Sequence, residues 1–116
     1  MASENRQISI KNLVVSDLNF RFDPQENELA AIEMILYTLG EKEINLAKDI
    51  WENGLSPSEL VMVIPYAGKK GKYRVLDGNR RITAIKLLMN PDLIRTDDLR
   101  NMYVAKLNRI AASRKV

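Results

Sequence analysis

The residues best suited to chemistry in this 116-residue chain lie together in one stretch, Tyr73 to Leu88, which reads YRVLDGNRRITAIKLL. A β-prone run enters a glycine turn, and a helical pattern opening with two adjacent arginines follows. Such a turn is an anion trap. The first amides of a helix have no partner within the helix and carry partial positive charge. Gly78 lets a phosphate approach the backbone, and an arginine closes on its oxygens with a two-pronged fork. Two arginines in a first helical turn oppose the helix dipole, so a neighbouring acid or a bound phosphate should offset them. Asp77, directly before the glycine, is the acid nearest in sequence. Two roles are open to it. It could hold Mg²⁺ or take a proton from an attacking hydroxyl or water, or it could cap the turn. Capping is favoured, because no second carboxylate is close in sequence and Glu26, Glu28 and Glu33 would reach the turn only through the fold.

Composition narrows the chemistry further. The chain has no cysteine and no histidine. Disulfides, thiolate metal sites, cysteine nucleophiles and imidazole bases are therefore excluded, and any metal would be a hard, oxygen-bound ion such as Mg²⁺. The net charge of +3 conceals a strong polarity. Residues 1–68 hold 5 basic and 11 acidic residues, whereas residues 69–116 hold 13 basic and 4 acidic. The balance changes from −6 to +9 just before the arginine turn. That polarity suits a phosphate-bearing ligand or partner, although a solvated helical surface produces part of it.

The elements that must position the turn follow from periodicity. Ile8 to Ile10 alternates like a strand, with Leu13 to Val15 continuing it, and Asn19 to Pro24 reads as a loop. Leu29, Ile32, Ile35, Leu36 and Leu39 recur at helical spacing from Gln25 onward, with Gly40 to end the helix. Ile44, Leu46, Ala47, Ile50 and Trp51 repeat that spacing up to Asn53-Gly54, and Trp51 is expected as a buried core anchor. Leu60 to Ile64 is an apolar run of the kind found in a buried strand, ended by Pro65. Across the turn Gly68-Lys69-Lys70-Gly71-Lys72 it should pair with Tyr73–Leu76 as a β-hairpin. Ile82 to Met89 forms a third helix, broken at Asn90-Pro91. Thr96 is a suitable N-cap for a fourth, basic helix over about 96–114, with Asp97 and Asp98 in its first turn.

One α+β domain over residues 1–116 is expected, with a small mixed sheet, a β-hairpin and about four helices around one core spanning about 8–90. No apolar run reaches the roughly 18 residues of a bilayer span and no signal-peptide core opens the chain, so a cytoplasmic location is expected. The basic ending Ala112 to Val116 leaves open a longer parent protein.

The box Asp77-Gly78-Asn79-Arg80-Arg81, between a hairpin strand and an apolar helix, resembles the Gly-x-x-Arg box of the ParB/sulfiredoxin superfamily. Upstream, Asn19-Phe20-Arg21 is similar to the family's Asn-x-Arg element. Leu46-Ala47-x-x-Ile50-x-x-x-Gly54-Leu55-x-Pro57 is similar to its helix leading into the second strand. The resemblance implies that Gly78, Asn79, Arg80 and Arg81 grip nucleotide phosphates, with Arg21 facing the same pocket; read alone, Arg21 suits a surface salt bridge to Asp17 or Asp23. CTP and ATP are the family's nucleotides, and a nucleoside triphosphate with Mg²⁺ is the implied cofactor. Sulfiredoxins carry a catalytic cysteine where this chain has Asn79, so that activity is excluded.

The leading expectation is a nucleotide-binding regulatory or NTPase module of a DNA-associated system. A metal-dependent nuclease or phosphoryl transferase, with Asp77 as catalytic acid or metal ligand, is the enzymatic alternative suggested by family members with an Asp-Gly-x-x-Arg box. A DNA-binding adaptor using the basic last helix is the third. Nucleotide, DNA, a second copy and further domains of a parent protein are the partners these readings imply, and none involves a membrane.

Overall fold

The computed structural model describes residues 8–15, 24–55, 61–66, 68 and 70–113, with backbone alone at 24–27. Asn19-Phe20-Arg21, the acids Asp17 and Asp23, the Asn19–Asp23 loop reading, and Arg114 and Lys115 lie outside them. The chain runs β1 (Leu13–Val14), α1 (Pro24–Leu39), α2 (Glu41–Asn53), β2 (Met62–Pro65), β3 (Tyr73–Asp77), α3 (Asn79–Met89) and α4 (Asp97–Ala112). Short 3-10 turns occupy Ile10–Asn12 and Pro91–Leu93. This is a mixed α+β fold in the expected element order. No described helix is long and apolar enough to cross a membrane.

β3 is the central strand. It pairs in parallel with β1, Leu13 opposite Tyr73 and Val14 opposite Arg74, and antiparallel with β2 across the expected hairpin. A bulge between Met62 and Val63 shifts the register beside Asp77. Val75 is fully buried whereas the next residue, Leu76, is 45% exposed. Alternation along β3 therefore turns one face of the sheet into the core and leaves the other open. The core joins Val75 and Val15 to Ile32 and Leu36 of α1, Ile44 and Ala47 of α2, Ile82 and Leu87 of α3, and Leu99, Tyr103 and Leu107 of α4.

Three expectations are corrected here. Ile8–Ile10 is not a strand: Ile10–Asn12 forms a 3-10 turn, and only Leu13–Val14 pairs. The apolar run to Ile64 is not buried, with Met62 and Ile64 both exposed. As an edge strand among the described residues β2 has one neighbour, and Pro65, which has no N–H to donate, falls at its end. Trp51 is the third. Its indole is 37% exposed, and its Nε1–H donates to the Ser113 carbonyl at the end of α4, 3.0 Å away. The apolar stripe of α2 is buried at Ile44 and Ala47, half-buried at Ile50, and outruns the core at Trp51. There the polar edge of the ring satisfies a helix C-terminus.

Two carboxylates of α1 tie the layers together. Glu28 Oε2 accepts from the Val15 amide at 2.7 Å and from Lys86 Nζ at 2.8 Å, joining β1 to α3. Glu33 Oε2 accepts from the Arg95 and Thr96 amides, both at 2.8 Å. Thr96 is the N-cap of α4 as expected, but its side chain makes no capping bond; Glu33, from another helix, supplies the acceptor. Burial pushes the Glu33 carboxyl up, but the Thr96 and Arg95 amides, the Thr96 hydroxyl and the Arg95 charge outweigh it and hold the group below its ordinary range.

Candidate functional site

The arginine turn folds as its residue types require. Gly78 is the N-cap of α3 at φ 101°, ψ 15°, in the left-handed region that side chains rarely adopt. A Cβ there would also meet Val61 Cγ2 at 3.0 Å, so both backbone and packing demand glycine. The Gly78 carbonyl accepts from the Ile82 amide at 3.1 Å, and as a glycine the N-cap residue has no side chain of its own to cap the helix. The positive end of α3 thus starts at the point where β3 ends.

Around this turn lies an open pocket of about 400 Å³, lined by Leu46, Asp49, Ile50 and Gly54 from α2 and its end, Leu76 and Asp77 from β3, and Gly78, Asn79, Arg80 and Arg81. The volume is in the range of small-molecule sites. Five residues expected at the site, Asp77 through Arg81, are therefore brought to one cavity; Arg21 lies outside the described residues. Asn79 also turns its amide back onto β3, donating to the Val75 carbonyl at 3.3 Å. Asp77 is exposed at the strand end. Among the described residues its carboxylate accepts no hydrogen bond, so the capping role expected of it is not formed.

Glu28 and Glu33 do not reach the pocket, because both are committed elsewhere. The second carboxylate of the pocket is Asp49, brought there by α2, and its Oδ1 accepts from Asn53 Nδ2 at 2.8 Å. Two arginines facing two aspartates make the lining nearly balanced in charge, so the positive end of the α3 dipole and any cation accompanying the ligand weigh in favour of an anion. Among the described residues no group of three or more acids is placed to hold a metal ion. Asp49 and Asp77 fit the other mode of Mg²⁺ binding, in which one or two carboxylates assist and the ligand's phosphates supply further oxygens.

Sequence reasoning missed one further group. Glu43, in the first turn of α2, is only 1% exposed, and its Oε1 lies 3.5 Å from Arg80 Nε. Its Oε2 is buried without a hydrogen-bond partner. Burial pushes the carboxyl up to about 7 even though the Arg80 charge and hydrogen bond pull it down. The signal was present in the spacing: Glu43, Ala47 and Ile50 share one helical stripe, so an acid stands on an otherwise apolar face. Glu43, rather than Asp77 in sequence, is the acid that offsets an arginine of the turn.

A second cavity of about 430 Å³ lies under the hairpin, lined by Pro65, Tyr66, Gly68, Lys70, Gly71, Lys72 and Tyr73. Lys72 there is engaged with the Lys11 carbonyl at 3.0 Å. It lacks the convergence of helix end, arginines and acids that marks the pocket at Gly78. No family model matches the chain, and no curated protein and no solved structure matches it.

Proposed function

We propose that the chain is a ParB/sulfiredoxin-like domain that binds a nucleoside triphosphate, CTP or ATP, with Mg²⁺, through phosphates held at the β3–α3 turn. The observation that carries this reading is the convergence on one pocket of a glycine-started helix end, Arg80 and Arg81, and the carboxylates Asp49 and Asp77. Each part has a task. The helix amides and arginines bind phosphate oxygens, the aspartates assist Mg²⁺, and Leu46, Ile50 and Leu76 offer the apolar wall a base requires. A regulatory or NTPase role within a DNA-associated system follows from the resemblance of the Asp77–Arg81 box.

Isothermal titration with CTP, ATP and GTP, with and without Mg²⁺, tests the reading. Loss of a bidentate arginine–phosphate pair costs roughly 2–3 kcal/mol, so Arg81→Ala is expected to weaken binding on the order of 30- to 150-fold. Lysine there restores only part. Nucleotide bound as tightly by a folded Arg81→Ala variant would remove Arg81 from the site.

The neighbouring acids favour one second reading, metal-dependent phosphoryl transfer or nuclease action. In it Asp77 contacts the metal or accepts a proton, and Asp49 supplies the second carboxylate that a phosphate-bound Mg²⁺ uses. Mg²⁺-dependent phosphate release or DNA cleavage that disappears in Asp77→Asn, with stability unchanged, supports it. Absence of turnover with intact nucleotide binding leaves the binding module.

A further inference from the structure

The pair Glu43–Arg80 is not explained by a phosphate turn alone. A carboxylate used as scaffold has its oxygens hydrogen-bonded, because burying an unpaired one is costly. Glu43 is sealed in the seam between α2 and α3, with one oxygen at a marginal 3.5 Å from Arg80 and the other without a partner. Thr83, one turn beyond Arg80 on α3, is likewise fully buried with an unpartnered hydroxyl. The Arg80 side chain, in contrast, is 52% exposed and lines the pocket. One end of the pair is fixed and the other can swing towards a ligand without repacking the core.

We infer that Glu43 is a proton-operated latch on Arg80: ionised, it holds the guanidinium on the α2 side of the pocket, and protonated from solvent, it releases Arg80 to an incoming phosphate. Phosphate binding is then coupled to proton uptake at Glu43. The inference deepens the nucleotide reading and its second half rests on it. The surroundings assign the coupling to Arg80. Of the groups on packed elements, Lys106 of α4 pairs with Glu41, Tyr103 of α4 lies against Gly40, and Glu33 of α1 is held by the start of α4. Arg80 is the charged group acting on Glu43, and the carboxyl changes state near neutral pH.

The test has two arms. In the first, CTP with Mg²⁺ is titrated calorimetrically into the parent chain and Glu43→Gln, in buffers of different ionisation enthalpy. The variant subtracts protons taken up or lost by the nucleotide itself. The parent is expected to take up on the order of 0.5 proton more per CTP than the variant at pH 7.5. Glu43→Gln should bind up to about tenfold tighter than the parent at pH 8 and equally at pH 6, because only the released fraction of the parent is competent. Equal proton uptake in both chains overturns the coupling. In the second arm, which needs no nucleotide, the Glu43 carboxyl is titrated by carbon-13 NMR in the parent and in Arg80→Ala, whose altered side chain is largely outside the core. The midpoint should rise in Arg80→Ala; equal midpoints overturn the latch. If no nucleotide binds the parent while the midpoint rises as expected, the nucleotide reading fails and the Glu43–Arg80 contact stands.

Discussion

Acidic residues in this protein are used in two contrasting ways. On the side of α1, Glu28 and Glu33 are engaged: each places one oxygen between two donors and joins segments distant in sequence. On the side of the β3–α3 turn, Glu43 is buried with an unpartnered oxygen, and Asp77 accepts no hydrogen bond among the described residues. Acids of the first kind stabilise the frame. Those of the second kind carry unspent hydrogen-bonding capacity, which is stabilised only when a ligand, a metal or a proton arrives.

The largest expected effect breaks the frame. Lys86 is buried against Glu28, so Lys86→Ala removes packed methylenes and leaves a carboxylate short of its counter-ion. A loss of about 3 kcal/mol is expected in urea unfolding. A loss below about 1 kcal/mol would place this pair with ordinary surface bridges and erase the contrast.

Glu33→Ala comes next, with a loss of about 2 kcal/mol, because two amides at the start of α4 lose a charged acceptor. Its pH dependence has a definite sign. The folded carboxyl is held below its ordinary value, so its contribution is present above that value and disappears as pH falls through the lowered one. Acid unfolding followed by circular dichroism should therefore flatten in the variant.

Glu43 should show the opposite sign. Its folded value is raised to about 7 from 4.5, so its contribution is complete below the ordinary value and is lost as pH rises through neutrality. The parent chain is expected to lose about 1.4 kcal/mol of stability between pH 6 and pH 8, and Glu43→Gln should be flat over that interval. Two glutamates, one half-buried and one buried, with stability slopes of opposite sign would be the clearest expression of the comparison. Parallel slopes would dissolve it.

Asp77 gives the smallest effect. With no capping bond to lose, Asp77→Ala should change the melting free energy by less than about 0.5 kcal/mol. A loss of about 1 kcal/mol would restore the capping role that its position before Gly78 suggested.

Most of the fold was legible because its signals are local. The helical stripes from Leu29 to Leu39 and from Ile44 to Ile50, the stops at Gly40 and Gly54, the Lys-rich hairpin and the Asn90-Pro91 break all appear where backbone preference and period place them. Gly78 was legible as the glycine between strand and helix, but its left-handed backbone was not, since an N-cap residue usually takes the extended region. Ile8–Ile10 and the edge position of β2 were not, since a short apolar run looks the same whether or not a neighbour covers it.

The sequence by itself determined the mixed α+β composition, the absence of thiol and imidazole chemistry, and the gathering of Asp77, Gly78, Asn79, Arg80 and Arg81 at one helix start. These follow from residue identity and from backbone continuity over a few positions. Only the tertiary structure decided which acids surround that helix start. Asp49 and Glu43 reach it because α2 packs along α3, while Glu28 and Glu33 are drawn away to Lys86 and to the amides of α4. The end of Trp51's burial was decided in the same way, by where the core stops under α2 rather than by the period of the helix. Partnership between side chains tens of residues apart depends on where helices cross, and the spacing within a single helix carries no record of that crossing.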